Sequence, residues 1–394
     1  MRVVAKFGGT SLGNGDRVNR AADSIADAVR EGNEVAIVAS AMGSTTDFLL
    51  DAITFEADEA DQAEIVSMGE RTSVRMLKAA LGARGIDAKF LEPGAEGWPV
   101  ITDEHGQVDV EETQRRAKKL AADMASNGYV PVITGFLAQD HAGNVTTLGR
   151  GGSDTTAVML GNYMNADEVV IITDVEGVMT GDPRVVEGAR NVGEITVDEL
   201  RNLSFRGAEV VAPSALSYKT GEMVVRVAHY QHGDLLGGGT TISGQFQNLI
   251  DMREEPLACL TAAGRAIRNT PGVLSDLSAV LAEADINVDA VASGMDSVSF
   301  YVDSAVAEQA ETVLHQAVID LEEVSSVTVD SDVAVVRITG GELPSQSGVL
   351  QNVIGPLANE HINVVDVITS ATSIAVFVEW DDREQALDII QKVV

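Results

Sequence analysis

The sequence predicts an α/β protein: a mostly parallel sheet covered by helices on both faces, followed by two smaller α+β modules. Three observations predict it. Over roughly the first 245 residues, short apolar runs alternate with amphipathic ones, as parallel strands and their crossover helices do. Three of the apolar runs end in loops rich in glycine or hydroxyls, and such loops gather at the carboxyl edge of a parallel sheet. Finally, the segment from Pro271 to Val302 recurs at a constant offset of 76 residues, without gaps.

Arg2 to Phe7 reads as a strand, followed by Gly8-Gly9-Thr10-Ser11-Leu12-Gly13 and an amphipathic helix from Asp16 to about Gly32. Strand, glycine turn and helix form a phosphate-binding arrangement, although the spacing fits neither GxGxxG nor GxxxxGK[ST]. Lys6 stands at the strand end instead, and a lysine inside an apolar strand is a poor fit to a solvated surface role. Glu34 to Ala39 is a buried strand leading to Ser40-Ala41-Met42-Gly43-Ser44-Thr45-Thr46. A helical region follows from about Thr46 to Leu81, interrupted near Ser67-Met68-Gly69-Glu70-Arg71. Short strands are expected at Ile86–Leu91 and Pro99–Ile101, and a helix at Val110–Ser126. Tyr129 to Phe136 is a buried strand that delivers the chain to Thr147-Leu148-Gly149-Arg150-Gly151-Gly152-Ser153-Asp154-Thr155-Thr156. Here three glycines allow close approach to a bound group, Ser153 or Asp154 is expected to cap the next helix, and Arg150 adds a fork suited to carboxylate or phosphate. The third loop is Thr173 to Arg184, after the apolar strand that starts at Glu168. Val224–Val227 and Thr240–Ile242 close the sheet.

Each copy of the repeat is preceded by a strand, Leu257–Ala262 or Val333–Ile338, and reads as a βαββαβ-like unit whose one-sided helices must pack on a sheet. The expected domains are residues 1–246, 247–330 and 331–394, with a strand near 247–255 compatible with the last of them.

With 60 acidic against 27 basic residues the formal net charge is −33, and seven of the basic residues are lysines. The acids are spread through every helix, so the charge belongs to a folded surface. It argues against nucleic acid or an anionic membrane as partner, and it suggests a halophilic protein, because at molar salt the Debye length falls to about 3 Å and self-repulsion is screened. No signal-peptide pattern or membrane span is visible, so a cytoplasmic location is expected. The single cysteine, Cys259, sits in an apolar segment and is expected to pack in a core.

Taken in order, Lys6-Phe7-Gly8-Gly9-Thr10-Ser11, Ser40-Ala41-Met42-Gly43, Ser67-Met68-Gly69-Glu70, Leu148-Gly149-Arg150-Gly151-Gly152-Ser153-Asp154 and Thr173-Asp174-Val175-Glu176-Gly177 make the first ~250 residues resemble the amino acid kinase family, in particular its aspartate kinases. The repeat resembles a pair of ferredoxin-like ACT modules. The resemblance implies transfer of the ATP γ-phosphoryl group to the β-carboxylate of L-aspartate, the first step of lysine, threonine and methionine biosynthesis, with Mg²⁺ as cofactor. It implies that Lys6, Gly8, Gly9, Thr10 and Ser11 hold the phosphates, and that Thr173, Asp174, Asp182 and Arg184 surround the nucleotide. Asp154 would orient the positively charged groups. Ser40, Thr45 and Thr46 would meet the β-carboxylate, Glu70 the amino group, and Arg150, Gly151, Gly152 and Ser153 the rest of the substrate. No protein metal ligands are assigned. The ACT pair is expected to bind lysine or threonine near Val273, Leu274, Asn287, Asp289 and Asn363, and to join chains into a homodimer or homotetramer.

Two positions depart from the family pattern. Glu209 stands where a lysine near the ATP phosphates is expected, with Arg206 or Lys219 as candidate substitutes, and Val178-Met179 replace an aromatic residue near the adenine. Two competing readings follow: an amino-acid sensor whose kinase unit has lost activity, motivated by Glu209, and a related carboxylate kinase such as glutamate 5-kinase.

Overall fold

A computed structural model describes residues 1–183, 185–204, 210–245, 249–265, 267–340, 348–370 and 372–393. The chain divides into two compact units, residues 1–246 and 247–394. No helix among the described residues is long and apolar enough to cross a membrane.

The first unit runs β1 (Arg2–Phe7), α1 (Gly15–Arg30), β2 (Glu34–Ala39), α2 (Thr45–Ala52), α3 (Glu59–Gly82), β3 (Ala88–Leu91), β4 (Ile101–Thr102), α4 (Val110–Asn127), β5 (Val130–Thr134), β6 (Leu137–Asp140), β7 (Val145–Thr147), α5 (Gly152–Tyr163), β8 (Glu168–Thr173), β9 (Glu194–Thr196), α6 (Val197–Ser204), α7 (Pro213–Leu216), β10 (Val224–His229) and β11 (Thr240–Ser243). Its main sheet has the order β3-β5-β2-β1-β8-β10-β11-β9. From β3 to β10 every pairing is parallel. Phe7 is level with Ala39 and Ile172, so the loops after β1, β2 and β8 leave from one edge. Alternate residues of β1 enter two cores. Val3, Ala5 and Phe7 pack with α1 and α3, whereas Val4 packs with α4 and α5. By the two-residue period of a strand, Lys6 shares the face of Val4 and points toward the α5 layer at the functional edge.

Three local expectations are corrected. The break in the long helical region lies at residues 53–58, where Asp58 caps α3 by accepting the Asp61 N–H at 2.8 Å. The Ser67–Arg71 stretch is continuous helix. Gly69 serves close packing there, since a Cβ would lie 2.7 Å from the Ala41 Cβ. Second, β5 does not lead straight to the central glycine loop: the hairpin β6-β7 intervenes in a small sheet with β4. Its turn is built by Asp140, whose carboxylate accepts both the backbone and side-chain N–H of Asn144 at 2.8 Å, and by Gly143 at φ +95°. Third, neither Ser153 nor Asp154 caps α5. Gly151 occupies the cap position in the left-handed region at φ +75°, where a side chain would be strained, and Asp154 is left to point elsewhere.

The second unit runs β12 (Leu249–Met252), β13 (Leu257–Ala263), α8 (Val273–Glu283), β14 (Ala290–Ser293), β15 (Ser297–Asp303), α9 (Ala307–Asp320), β16 (Ser326–Thr339), α10 (Val349–Asn359), β17 (Val364–Thr369), β18 (Ser373–Glu379) and α11 (Arg383–Val393). The sheet order is β14-β15-β13-β16-β18-β17. The 14-residue β16 serves both repeats. Its first half pairs with β13 of the first repeat and its second half with β18 of the second. There β12 also joins, with Leu249 opposite Thr339, so a strand preceding both repeats completes the second one. Helix-side cores form separately around α8-α9 and α10-α11. On the other face Tyr301 stacks on Phe377 with ring centroids 4.0 Å apart, and Cys259 is buried beside them.

Candidate active site

The functional edge is built around an ion pair. The Lys6 ammonium lies 2.7 Å from Asp154 Oδ1, and both side chains are largely buried. The other Asp154 oxygen accepts the Ala212 N–H at 3.2 Å, which ties the first turn of α5 to the start of α7. Thr155 and Ser214 share a second link there, with hydroxyls 2.9 Å apart. Lys6 is thus held where β1, α5 and the segment before α7 meet.

The glycine turn after β1 is required by its neighbours. A Cβ on Gly9 would lie 2.8 Å from the Ala41 carbonyl oxygen and 2.9 Å from that of Gly43, both backbone atoms that cannot swing away. The Gly43 N–H donates to the Gly9 carbonyl at 2.9 Å, so the first two loops are stitched together. At Gly8 a Cβ would make only ordinary contact, 3.4 Å from Lys6 Nζ, which places this glycine directly against the cation. Ser11 is buried and donates to the Ile172 carbonyl at 3.1 Å, which fastens this loop to β8. The Thr10 carbonyl accepts from Arg17. In the third loop the Thr173 hydroxyl donates to Asp174 at 3.3 Å, and Asp174 and Asp182 are exposed at the same edge. Arg184 lies outside the described residues, as do Arg206 and Glu209.

On the acceptor side, Ser40 and Thr45 are half-buried, and the Thr45 hydroxyl donates to the Met42 carbonyl at 2.5 Å. Thr46 lines a cavity of about 450 Å³ together with Leu50, Val66, Phe136 and Thr147. Glu70 is 3% exposed on α3. Its Oε1 accepts the Ala41 N–H at 3.3 Å, while Oε2 is buried with no partner. Burial pushes its pKa up to about 7, against the smaller opposing effect of backbone hydrogen bonds. Arg150 is exposed at the tip of the glycine loop. A Cβ on Gly151 would overlap that of Ala212, and one on Gly152 would meet Phe136 and Leu148 at 3.0–3.1 Å. Ser153 packs over Gly135, where a Cβ would lie 2.8 Å from the Ser153 hydroxyl. Nothing in the local sequence pattern around either marks Gly135 or Ala212 as part of this site. Both depend on chain crossings.

Two sequence expectations change. Lys219 cannot stand in for a phosphate-binding lysine, because it is 4% exposed and its ammonium is bound to the backbone carbonyls of Thr220, at 3.0 Å, and Gly244. Val178 is buried, with its N–H donated to the Thr240 hydroxyl at 2.9 Å, so it is a packing residue.

In the second unit, Val273 is buried in the core beneath α8 whereas Leu274 is 46% exposed. Asn287 and Asn363 are exposed. Asp289 pairs with Arg253 at 2.9 Å, and Arg253 also holds Asp303 at 2.6 Å. Arg253 and Asp289 border a cavity of about 410 Å³ that Asp251, Arg337, Ser370 and Ser373 also line. Asp251 Oδ1 is buried there without a partner. The sequence reading missed Asp251 and Arg337, on β12 and β16, and Arg253, just after β12, all outside the repeated motif.

Residues 1–229 match the amino acid kinase family, and residues 260–318 and 328–392 each match an ACT domain. An aspartokinase of Helicobacter pylori (strain ATCC 700392 / 26695) is 31% identical, across 100% of this chain and 99% of that protein. Aspartokinase 2 of Bacillus subtilis (strain 168) is 32% identical, across 98% of this chain and 96% of its own length. Among solved structures, aspartate kinase from Synechocystis superimposes with a TM-score of 0.81 at 26% identity, covering 100% of this chain and 69% of that one. E. coli aspartokinase III in complex with aspartate and ADP gives 0.55 at 25% identity, with 100% of both chains covered. The chain belongs to the amino acid kinase family, among the aspartokinases that carry paired ACT domains.

Proposed function

We propose that this chain transfers the γ-phosphoryl group of ATP to the β-carboxylate of L-aspartate, giving 4-phospho-L-aspartate and ADP. The observation that carries the reading is the buried Lys6–Asp154 pair set between two interlocked glycine loops at the carboxyl edge of the sheet. A carboxylate acceptor is already ionised at neutral pH, so no general base is needed, and the barrier is to bring one anion onto another. Lys6 meets that demand with a fixed cation, and the amides of Gly9, on the turn after β1, and Ser153, in the first turn of α5, add donors; the Gly8 amide is spent on the Ile172 carbonyl at 3.1 Å. Asp154 fixes the direction of Lys6. Mg²⁺ supplies further charge neutralisation on the phosphate oxygens when bound. Asp174, exposed at the same edge, is an oxygen donor of the kind that would hold it, whereas both Asp154 oxygens are engaged by Lys6 and Ala212.

Aspartate is oriented from both ends. Glu70, with an unpartnered buried oxygen, receives its ammonium, and Arg150 receives the α-carboxylate. Ser40, Thr45 and Thr46 direct the β-carboxylate toward Lys6, and Thr173, Asp174, Asp182 and Arg184 hold the nucleotide. In the second unit, the paired carboxylates and guanidiniums around the Asp251–Arg253–Asp289 cavity suit a zwitterionic amino acid such as lysine or threonine. Chains associate through this unit as dimers or tetramers, and the enzyme works in the cytoplasm.

The test is ADP release with MgATP and L-aspartate in molar KCl, with L-glutamate as control and lysine or threonine added in turn. Aspartate-dependent turnover supports the reading. ATP binding without turnover favours a sensor that has lost catalysis, and equal turnover with glutamate removes the substrate assignment.

A further inference from the structure

A second charged cavity lies at the β3 edge of the main sheet, to one side of the loops after β1, β2 and β8. It occupies about 520 Å³ between the outer strand β3, helix α4 and the residues preceding β5. β3 is three strands from β1, so the cavity is roughly 14 Å across the sheet from Lys6 at the usual strand spacing. Its volume is in the range of small-molecule sites.

What singles it out is sign. In a chain with 60 acidic and 27 basic residues, this cavity is lined by four cations, Lys89, Arg115, Arg116 and Lys119, and by two acids, Glu96 and Asp123. Helical spacing produces the stripe: Arg115 and Lys119 are one turn apart on α4, with Arg116 beside them. Ordinary surface pairing accounts for part of it. Glu112 binds Arg115 through two hydrogen bonds of 2.6 and 2.8 Å and Arg116 through one of 2.6 Å, so a single carboxylate serves two guanidiniums and leaves one positive charge over. The Lys89 ammonium lies over the Tyr129 ring, 3.8 Å from its centroid, and has no carboxylate partner among the described residues. The same holds for Lys119. Asp123 is engaged, accepting the Tyr129 hydroxyl at 2.6 Å, which fixes the ring as a flat wall. Arg116 in turn donates to the Trp98 carbonyl at 3.3 Å, and the buried Trp98 indole donates to the Val100 carbonyl at 2.8 Å. The cations are therefore arrayed on a braced aromatic frame.

We infer that this cavity is a binding site for a small organic or inorganic anion of at least two negative charges, held by Lys89, Lys119 and the Arg115–Arg116 pair. Phosphate and carboxylate groups both meet that chemistry, Arg through paired donors and Lys as a point charge. Nothing in the site requires the phosphoryl-transfer centre. Its occupant is a ligand additional to ATP, aspartate and the effector of the second unit.

Trp98 provides a local reporter, because the other tryptophan, Trp380, lies in the second unit. In full-length chain carrying Trp380→Phe, pyrophosphate and citrate are titrated separately at fixed ionic strength while Trp98 fluorescence is followed. A saturable change with either anion is expected, weakened at least about tenfold by Lys119→Glu, with aspartate-dependent ADP release retained in that variant. The arm that saturates at lower concentration tells phosphate from carboxylate preference. Should Lys119→Glu fail to fold, Lys119→Gln removes the charge with less disturbance and is expected to weaken binding in the same direction. Overturning results are a drift with both anions that matches added KCl, or a saturable change whose midpoint neither Lys119 variant moves.

Discussion

Replacing Glu70 by Gln separates the energetic cost of a buried acid from its use. In the unfolded chain this carboxyl has a pKa near 4.5, and in the folded one burial raises it to about 7. Between those values the folded state binds more protons than the unfolded state, so stability falls as pH rises through the window and levels off above it. A difference of about 2.5 pH units corresponds to about 3 kcal/mol of destabilisation at pH 8, at about 1.4 kcal/mol per unit. Gln is neutral throughout and keeps an acceptor for Ala41, but its amide N–H takes the place of the unpartnered Oε2, at a cost of about 1 kcal/mol. The first unit of Glu70→Gln is therefore expected to be about 2 kcal/mol more stable than the parent at pH 8, and no more stable at pH 4.5. Urea unfolding at the two pH values, followed through Trp98 in the Trp380→Phe background, reads this directly. The same variant should raise the KM for aspartate by about 10- to 100-fold, the usual effect of losing a charged hydrogen-bond partner. Aspartate binding near pH 7 should also release about half a proton in the parent and none in the variant, measured by calorimetry in buffers of different ionisation enthalpy. A stability difference that does not change between pH 4.5 and 8, with KM unaltered, would falsify both the buried charge and its assignment to the substrate ammonium.

Lys6→Met should lower kcat by about 10²- to 10³-fold while leaving aspartate binding within a factor of a few, because it removes a donor aimed at the transferring group; an equal loss in aspartate affinity would move Lys6 out of the phosphate site. Gly9→Ala pushes a methyl against two backbone oxygens and should both destabilise the first unit by about 1–3 kcal/mol and abolish ATP binding, read by melting and nucleotide titration. Arg253→Ala leaves Asp289 and Asp303 without their shared cation and should weaken inhibition by the effector amino acid, with kcat unchanged in its absence. With a formal charge of −33, the melting temperature should climb as KCl is raised from 0.1 to 2 M; a flat profile would remove the halophilic reading of the composition.

Features set by local chemistry were legible in the sequence. The short apolar strand Arg2–Phe7, the glycines after it and the continuous apolar run of Glu168–Thr173 are determined within a few residues of themselves, and the structure has strands and turns there. The 76-residue repeat likewise marked two equivalent helix-and-hairpin units. What escaped depends on partners distant in the chain. Gly69 resembles a helix break until Ala41 is seen against it. Asp154 resembles a cap until Lys6 and Ala212 are brought to it from 148 and 58 residues away. The β6-β7 hairpin was lost because its strands are only four and three residues long, too short for alternation to register. β12, by contrast, was expected as a strand near 247–255 compatible with the last module, and it pairs there with Val336–Thr339 although it carries no repeat signal.

The charge arrangement follows from the chemistry more closely than from the composition. Lys6 and Asp154 nearly neutralise one another, so their pair contributes little net field, and its value lies in direction. A lone lysine at this place would be free to swing toward solvent. Pinned by a carboxylate that is itself held by a backbone N–H, it presents a fixed charge with no reorganisation when the phosphoryl group arrives. In molar salt the excess of acids elsewhere would be kept from the reaction by distance and by ions, because a charge beyond about 3 Å of solvent is then largely screened. Groups inside the water-poor site escape that screening. An acidic surface and a reaction between two anions are therefore compatible in one molecule, on the condition that the few cations at the edge of the sheet are built in by packing and not left to flexible surface side chains.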